Sequence, residues 1–165
     1  MQYPPGYMDF ILRCLQPGDE TRLSEFYHAL SAPTRHFFEP YRDISVEAMR
    51  AVIDRTVQGV DLGMIAMEPS GTVFAHFFFG NIAEPIPHLG IGIRDDYQNR
   101  GLGPVFLAYL LSLAKHVLYK KEIGLTVVKE NRRAVHLYQN HGFTVVRDVT
   151  FRTTGDSYEM QLILD

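Results

Sequence analysis

The chain has 165 residues, of which 46% are hydrophobic and 21% are charged, and its net charge at pH 7 is −3. These values are typical of one folded domain with a hydrophobic core, and they exclude an intrinsically disordered chain. A sequence pI near 6.1, without a cluster of arginine and aromatic residues, makes nucleic acid a poor partner. The length predicts a single domain over residues 1–165. No apolar stretch is long enough to span a bilayer, so we expect no membrane partner.

Cysteine usage and the N-terminus bear on the cellular compartment. The single cysteine, Cys14, excludes an internal disulfide, and a reducing compartment is the default for such a chain. Residues 1–6 lack the basic start and the apolar core of a signal peptide, so we expect a cytoplasmic protein. Cys14 shares an apolar run with Phe10 and Leu12 at alternate positions, which predicts a buried structural thiol rather than a nucleophile.

Hydrophobic periodicity and turn residues predict the elements of the N-terminal half. In chain order they are a strand over residues 7–15, a helix from the cap Asp19 to Leu30, an irregular aromatic-rich segment over 31–43, a helix over 45–57, and strands over 62–67 and 73–79. The turn signal Pro69-Ser70-Gly71 between the last two strands favours a hairpin.

The C-terminal half predicts a strand–helix–strand unit, a short helix and two further strands. These elements are a strand over 88–94, a helix from Gly103 to about Tyr119, a strand over 122–128, a helix capped by Asn131 and ended by Gly142, and strands over 144–151 and 158–164. The crossover implies parallel pairing of its two strands. Because the long helix is apolar around most of its circumference, we expect most of it to be buried. The predicted fold class is α/β, with a mixed sheet and helices on both faces.

Residues 98–103 (Gln-Asn-Arg-Gly-Leu-Gly) lie between a predicted strand and the long helix. Gly101 and Gly103 lack a Cβ atom, so their backbone can approach a ligand closely, and the first amides of a helix have no intrahelical partner. Pro104 is predicted at the first helical position, where its missing N–H costs nothing. The arrangement suits a phosphate group, although a glycine pair before a helix also occurs in ordinary connections. No Gly-Lys-Ser/Thr follows, and Phe106 replaces the third glycine of a dinucleotide motif, which excludes both of those nucleotide sites.

Positive charge is concentrated in the segment that contains this turn. Residues 94–147 carry nine Lys and Arg against four Asp and Glu, whereas the rest of the chain carries seven against fifteen. A polyanionic ligand would be favoured there. The side chains that could reach an outer phosphate are Lys115, Lys120, Lys121, Arg132 and Arg133; the alternative for each is a solvated surface charge.

Two motifs in this chain resemble those of the GCN5-related N-acetyltransferase (GNAT) family. The family's acetyl-CoA motif is Gln or Arg, two variable residues, Gly, one variable residue, and Gly or Ala, and it is present at 98–103. The downstream pattern is matched by Asn131, Ala134, Leu137-Tyr138 and Gly142-Phe143. The close match covers about residues 88–143. The resemblance implies a GNAT-like acyl-CoA N-acyltransferase fold with splayed parallel strands, and transfer of the acetyl group of acetyl-CoA to a primary amine.

In this family the cofactor lies where two central parallel strands splay apart. By this resemblance, strand backbone around Ile91 and Ile93 would meet the pantetheine arm, and the amides of the turn would hold the pyrophosphate. The expected cofactor-binding residues are Ile91, Gly92, Ile93, Gln98, Asn99, Arg100, Gly101, Leu102, Gly103, Asn131, Arg133 and Tyr138. For Asn131 the alternative role is that of a helix N-cap, and the two roles are compatible.

Acetyl transfer to an amine requires a deprotonated nucleophile and a proton for the departing thiolate. Tyr138 matches the family's general acid; its alternative is a core tyrosine bonded to a backbone carbonyl. Many relatives place a glutamate on the strand before the glycine turn, but this chain offers only His88 and, just upstream, Glu84, and a water chain is a further option. Gly90 and Gly92 predict either a bulge that aims an N–H at the thioester carbonyl or relief of crowding against a helix.

The acceptor is the least constrained part of the prediction. We expect a small-molecule or peptide amine, and residues 35–38 (Arg-His-Phe-Phe) are the preferred contributors to its pocket, unless Phe37 and Phe38 only cover the core.

No histidine or cysteine cluster has metal-ligand spacing, so no metal is expected. Dimerisation is common among such proteins, and a homodimer stays an open prediction. The alternative function is a non-catalytic acyl-CoA-binding or sensor module of the same fold.

Overall fold

The structure, a computed structural model, describes residues 9–165. Its strands are β1 (Ile11–Cys14), β2 (Leu62–Met67), β3 (Val73–Gly80), β4 (His88–Ile93), β5 (Glu122–Val128), β6 (Thr144–Phe151) and β7 (Gly155–Ile163). Its helices are α1 (Glu20–His28), α2 (Ala32–Phe37), α3 (Val46–Val57), α4 (Leu102–His116) and α5 (Arg132–Asn140), with a 3₁₀ turn at Asp95–Tyr97. The first two residues of the strand predicted over 7–15 lie outside the described residues.

The seven strands form one mixed sheet in the order β1-β2-β3-β4-β5-β7-β6. Among the strands of residues 9–165, only the β4–β5 pair is parallel, and the predicted hairpin of β2 and β3 is antiparallel. These pairings confirm the predicted α/β class and the crossover through α4.

Helices cover both faces of the sheet. Along β2, Met64 and Ala66 belong to a core with Phe106 and Leu107 of α4, whereas Ile65 belongs to a second core with side chains of α1 and α3. Because successive strand residues point to opposite faces, α4 lies on one face and α1 and α3 lie on the other.

The parallel pair β4–β5 is in register at one position only, His88 opposite Gly124. Gly124 N–H donates to the carbonyl of Pro87 (3.1 Å), next to this position. Beyond it the strands part, and β4 keeps only its antiparallel partner β3. The splay that the family resemblance implied is therefore present, and it opens toward the glycine turn.

One predicted irregular segment is in fact partly helical. Within residues 31–43 the structure has α2, capped by Ser31, whose Oγ accepts a hydrogen bond from Thr34 N–H (3.3 Å). A serine followed two residues later by Pro33 is a signal for a helix start, which the prediction of an irregular segment did not use.

Two side chains of the N-terminal half are placed differently from the prediction. Asp19 stands at the N-cap of α1 but makes no capping bond, because its carboxylate accepts two hydrogen bonds from Arg13 (2.6 and 2.8 Å). Cys14 is exposed rather than buried, since it is the last residue of β1, an edge strand.

The long helix α4 is less buried than its composition predicts. Its fully buried side chains are Phe106, Leu107, Leu110 and Ala114, which form one face. Val105 is 53% exposed on another face, so burial follows one side of the helix and not its whole circumference.

Within residues 9–165, no helix has the length and apolar character needed to cross a membrane. The same residues contain no group of three or more His, Cys, Asp or Glu side chains placed to bind a metal ion.

Candidate active site

The glycine turn has the backbone conformation that a close approach to a ligand needs. Asn99 (φ +60°) and Gly101 (φ +75°) both adopt left-handed conformations, and α4 begins directly after Gly101. An added Cβ at Gly101 would meet no atom within 4 Å, so the turn is open at this residue. Pro104 is the third helical residue instead of the predicted first, a position whose N–H also lacks an intrahelical acceptor.

The backbone of β4 directs into the splay N–H and C=O groups that pair with no neighbouring strand of the described residues. Arg94 N–H donates to Phe74 C=O (2.9 Å), so the backbone groups of every second residue counted back from Arg94 point toward β3. The backbone N–H and C=O groups of the residues between them point toward β5. Ile91 and Ile93 are two of these residues. The side chain of Gln98 donates from Nε2 to the carbonyl of Ile93 (2.9 Å), which joins the strand to the glycine turn.

A cavity of about 550 Å³ extends from the glycine turn along the splay. Its walls come from α2, β4, the turn, the start of α4, and α5. The lining residues are Thr34, Phe37, Phe38, Ile91, Gly92, Ile93, Gln98, Asn99, Gly101, Gly103, Pro104, Asn131, Arg133, Ala134, His136, Leu137, Tyr138 and Asn140. This space brings together most of the residues that the sequence predicted for cofactor binding.

Two predicted cofactor residues, Arg100 and Leu102, are not in the cavity wall. The guanidinium of Arg100 donates to the carbonyl of Asp96 (2.7 Å) and lies 5.0 Å from the ring centre of Tyr97. Leu102 packs against the hydrophobic core. A role for these two residues in phosphate binding would therefore depend on their backbone amides, at the turn and helix start.

Gly90 and Gly92 do not form a bulge, because the β3–β4 register is regular across both residues. An ideal Cβ on Gly90 would lie 2.4 Å from the Phe78 ring, and one on Gly92 would lie 2.1 Å from the Phe38 ring. The prediction of a bulge is therefore wrong. The glycines relieve crowding, which was the other prediction, but the crowding groups are aromatic rings and not a helix.

Tyr138 is a buried residue that borders the cavity. Its ring packs edge-on against Phe143, with ring centres 5.6 Å apart. Burial raises the pKa of Tyr138 to about 12, and its hydroxyl makes no hydrogen bond to another residue within 9–165. The alternative role for Tyr138, a core tyrosine whose hydroxyl donates to a backbone carbonyl, therefore does not apply among these residues.

His88 lies at the apex of the splay. Its Nε2 is 3.2 Å from Thr126 Oγ1 on β5, and Glu159 stands opposite Thr126 on β7. Although part of the residue is exposed, desolvation of the ring lowers the pKa of His88 below its usual 6.5, while the charge of Glu159 acts to raise it. Glu84 is exposed in the β3–β4 connection, where its carbonyl accepts a hydrogen bond from Lys120 (2.8 Å). Neither His88 nor Glu84 is among the residues that line the cavity.

The polar residues of α5 are tied to the turn. The Oδ1 of Asn131 accepts a hydrogen bond from Ala134 N–H (3.2 Å), so Asn131 caps α5 and also lines the cavity. Arg133 donates to Oδ1 of Asn99 (2.7 Å), which holds a cation beside the glycine turn. Of the other candidate cations, Arg132 lines an adjoining hollow, and Lys115 and Lys121 are exposed on the surface.

Sequence reasoning missed two residues near the turn. Thr34 lines the cavity from α2, and Asp95 of the 3₁₀ turn accepts a hydrogen bond from its hydroxyl (2.7 Å). The missed helix start at Ser31 was the signal that could have placed Thr34 in a first helical turn.

Comparison with known proteins decides the family. Residues 22–143 match the model of the acetyltransferase (GNAT) family. The chain belongs to this family. It is an acetyl-CoA-dependent N-acetyltransferase, which confirms the resemblance and the acyl donor predicted from the sequence. None of the curated protein sequences compared with this chain matches it.

Solved structures with the same fold are distant in sequence. A spermidine N-acetyltransferase from Vibrio cholerae, in complex with CoA and spermine, has 17% identity and a TM-score of 0.76, covering 94% of this chain and 95% of that chain. A ribosomal-protein-S5-alanine acetyltransferase from Vibrio fischeri has 12% identity and a TM-score of 0.83, covering 96% and 95%. A GNAT-family acetyltransferase from Streptococcus pneumoniae has 21% identity and a TM-score of 0.73, covering 95% and 100%. At these identities the likeness shows the fold of this GNAT chain.

Proposed function

We propose that this GNAT protein transfers the acetyl group of acetyl-CoA directly to a primary amine while both are bound. The observation that carries the proposal is that one cavity reaches from the open glycine turn to Tyr138, a buried residue in its wall. An elongated cofactor and its reacting end would thereby be held in a single space.

The residues of the cavity fit coenzyme A by the chemistry of their backbone groups. The splay-facing groups of Ile91 and Ile93 can pair with the amides of the pantetheine arm, as an added strand would. The amides from Gln98 to Gly103 suit the pyrophosphate, because they stand at the positive end of α4 and Gly101 leaves room for close approach. The proposed cofactor residues are Ile91, Gly92, Ile93, Gln98, Asn99, Arg100, Gly101, Leu102, Gly103, Asn131, Arg133 and Tyr138.

Tyr138 is the proposed general acid. When bound, acetyl-CoA supplies an acetyl group activated as a thioester, which an amine can accept with release of the CoA thiol. A phenol whose pKa is raised to about 12 stays protonated at working pH and holds its proton at the cavity wall for that leaving group.

His88 is the proposed general base. Its lowered pKa keeps the imidazole neutral at pH 7, so Nδ1 or Nε2 can accept a proton from the incoming amine, directly or through water. Glu84 is the second candidate, and no contact within residues 9–165 directs its carboxylate toward the cavity.

The acceptor we propose is a small-molecule or peptide amine. The two characterised relatives described above act on a polyamine and on the alanine of a ribosomal protein, as their names state, so both kinds of amine belong in a first panel. Phe37 and Phe38, at the α2 side of the cavity, are the proposed contributors to its pocket.

Thiol release from acetyl-CoA with spermine, spermidine and a peptide with an N-terminal alanine would test the function. We expect turnover with at least one amine, and a drop in kcat of about 10²-fold or more in Tyr138→Phe, since loss of a general acid typically costs that much. Phe143→Leu, which changes the ring packed against Tyr138 but leaves its hydroxyl, is the matched control and should lose much less. Unchanged kcat in Tyr138→Phe would remove Tyr138 from the mechanism, and absence of turnover with every amine would contradict the proposed acceptor class.

A further inference from the structure

Helix α2 forms part of the cavity wall with little burial to hold it there. None of its six residues is fully buried. Thr34 and Phe37 line the cavity from the helix, and Phe38 follows directly after it with its ring over Gly92. A short helix without a buried face depends on specific polar contacts for its position.

The N-terminus of α2 is bound by Asp95 in the 3₁₀ turn, and its other end by Arg35, which donates to the carbonyls of Tyr27 (3.0 Å) and His28 (3.3 Å). The carboxylate accepts hydrogen bonds from Ser31 N–H (3.0 Å), Ser31 Oγ (2.5 Å) and Thr34 Oγ1 (2.7 Å). The same Thr34 hydroxyl accepts a bond from Gln98 Nε2 (3.3 Å), and Gln98 also holds the carbonyl of Ile93. One carboxylate thus joins the N-terminus of α2 to the segment that opens the glycine turn.

Asp95 is suited to this role as an anion. Desolvation opposes its ionisation, but the hydrogen bonds from Ser31 and Thr34 outweigh it and hold the pKa of Asp95 below its ordinary value. Hydrogen bonds to a charged acceptor are stronger than those between neutral groups. The neighbouring Asp96 has a different task, because its carboxylate accepts bonds from the guanidinium of Arg94 (3.1 and 2.9 Å).

We propose that Asp95 is a positioning residue for the acceptor: it fixes α2 against the glycine turn, so that Phe37 and Phe38 keep their places in the cavity wall. This inference rests on the proposed function, in which the turn holds the cofactor through backbone amides and the α2 side meets the amine. Loss of the Asp95 contacts should therefore weaken acceptor binding more than cofactor binding.

The kinetic test compares Asp95→Asn, Thr34→Val and the control Asp96→Asn, using the best acceptor of the amine panel. An asparagine puts an NH2 donor where one of the two accepting carboxylate oxygens stood, and valine removes the Thr34 hydroxyl that donates to Asp95. We expect KM for the amine to rise about tenfold in both variants, the effect of losing a charge-assisted hydrogen bond, with kcat and the Kd of CoA changed by less than about twofold. The double variant should lose less than the sum of the two single effects, because both variants remove the bond between Thr34 and Asp95. Asp96→Asn should stay near the wild type.

Hydrogen–deuterium exchange of the same variants tests the positioning without turnover. Asp95→Asn and Thr34→Val should speed exchange of the amides of residues 34–38, whereas Asp96→Asn should not. Unchanged exchange, or an amine KM within twofold of the wild type in both variants, would overturn the proposal. A CoA Kd that rises as much as the amine KM would also overturn it, because Asp95 would then serve the cofactor turn. If the wild type bound CoA but acetylated no amine, the proposed function would fail, and the exchange result would still decide the role of Asp95 in placing α2.

Discussion

At the scale of single residues, the proposed chemistry uses two groups whose pKa values are shifted in directions that suit an acid and a base. Burial raises the pKa of Tyr138, and desolvation lowers that of His88, so at neutral pH the proposed acid carries its proton and the proposed base does not. A pair of titratable groups with such separated pKa values is a recognised sign of an acid–base assignment. Glu84, the second candidate base, is exposed in the β3–β4 connection.

The pH dependence of kcat at saturating amine should identify the base. Because the base must be unprotonated, activity should fall as the pH drops through the pKa of His88, which lies below 6.5. In His88→Gln we expect this acidic limb to disappear and kcat on the plateau to fall about 10²-fold, the usual contribution of a general base. Glu84→Gln, the matched control, should keep both the limb and the plateau. A limb that persists in His88→Gln and disappears in Glu84→Gln would reverse the assignment.

At the scale of elements, the site depends on a strand, a turn and a helix that meet with the right backbone angles. Gly101 adopts φ +75°, which L-residues with side chains rarely do, and it leaves the start of α4 open to a ligand. Gly59, after the end of α3, has nearly the same conformation (φ +72°) with the same open space, but it is not part of the cavity wall. Substitutions at these two glycines therefore distinguish the effect of backbone strain, which both share, from the loss of ligand contact, which is expected at Gly101 alone.

Gly101→Leu and Gly59→Leu should lose similar stability, about 1–2 kcal/mol in the free energy of unfolding, the cost of a side chain in the left-handed region. Only Gly101→Leu should weaken CoA binding, by about tenfold or more, since its side chain would occupy the phosphate position. Urea unfolding and calorimetric titration with CoA would measure the two effects. Retained affinity in Gly101→Leu would mean that the phosphates lie elsewhere.

At the scale of the whole molecule, a buried histidine couples the core to pH. His76 on β3 is fully buried, its Nδ1 is hydrogen-bonded with the hydroxyl of Tyr27 (2.7 Å), and its Nε2 has no partner within residues 9–165. Burial lowers the pKa of His76 to about 3, against 6.5 in the unfolded chain. The folded state therefore takes up this proton only near pH 3, whereas the unfolded state takes it up near pH 6.5.

Stability should accordingly fall as the pH drops from about 6.5 toward 3, because the unfolded chain binds a proton that the folded chain excludes. The contribution of His76 to the slope approaches about 1.4 kcal/mol per pH unit, the value for one proton. In His76→Phe this contribution should be lost, so that the free energy of unfolding changes less with pH than in the wild type. Tyr27→Phe keeps the histidine and should keep the steep slope. Chemical unfolding between pH 4 and 7 would measure it, and equal slopes in His76→Phe and the wild type would contradict the role of His76.

Local sequence was sufficient for the elements that carry strong backbone signals. The bounds of β2 and β5 were predicted to the residue, and Asn131 and Gly142 marked the two ends of α5, because alternation, caps and glycines act within a few residues. The glycine turn was readable for the same reason, since its glycines and the helix after it are neighbours in the chain.

Contacts between distant segments could not be read in this way. Phe38 lies over Gly92, Asp95 binds Ser31, and Asp19 binds Arg13 in place of capping α1. Each of these contacts depends on which elements the tertiary structure brings together. The burial of one face of α4 and the exposure of Cys14 at a sheet edge also depend on the tertiary structure.

The sequence alone determined the family, the acyl donor and the position of the glycine turn, because the motifs that carry them are short and continuous. Only the tertiary structure decided where β4 and β5 part, which side chains border the resulting cavity, and that α2 closes one side of it. The physical reason is that hydrogen bonding and capping at a turn are local, whereas burial, desolvation and the pKa values that follow from them depend on packing between residues far apart in the chain.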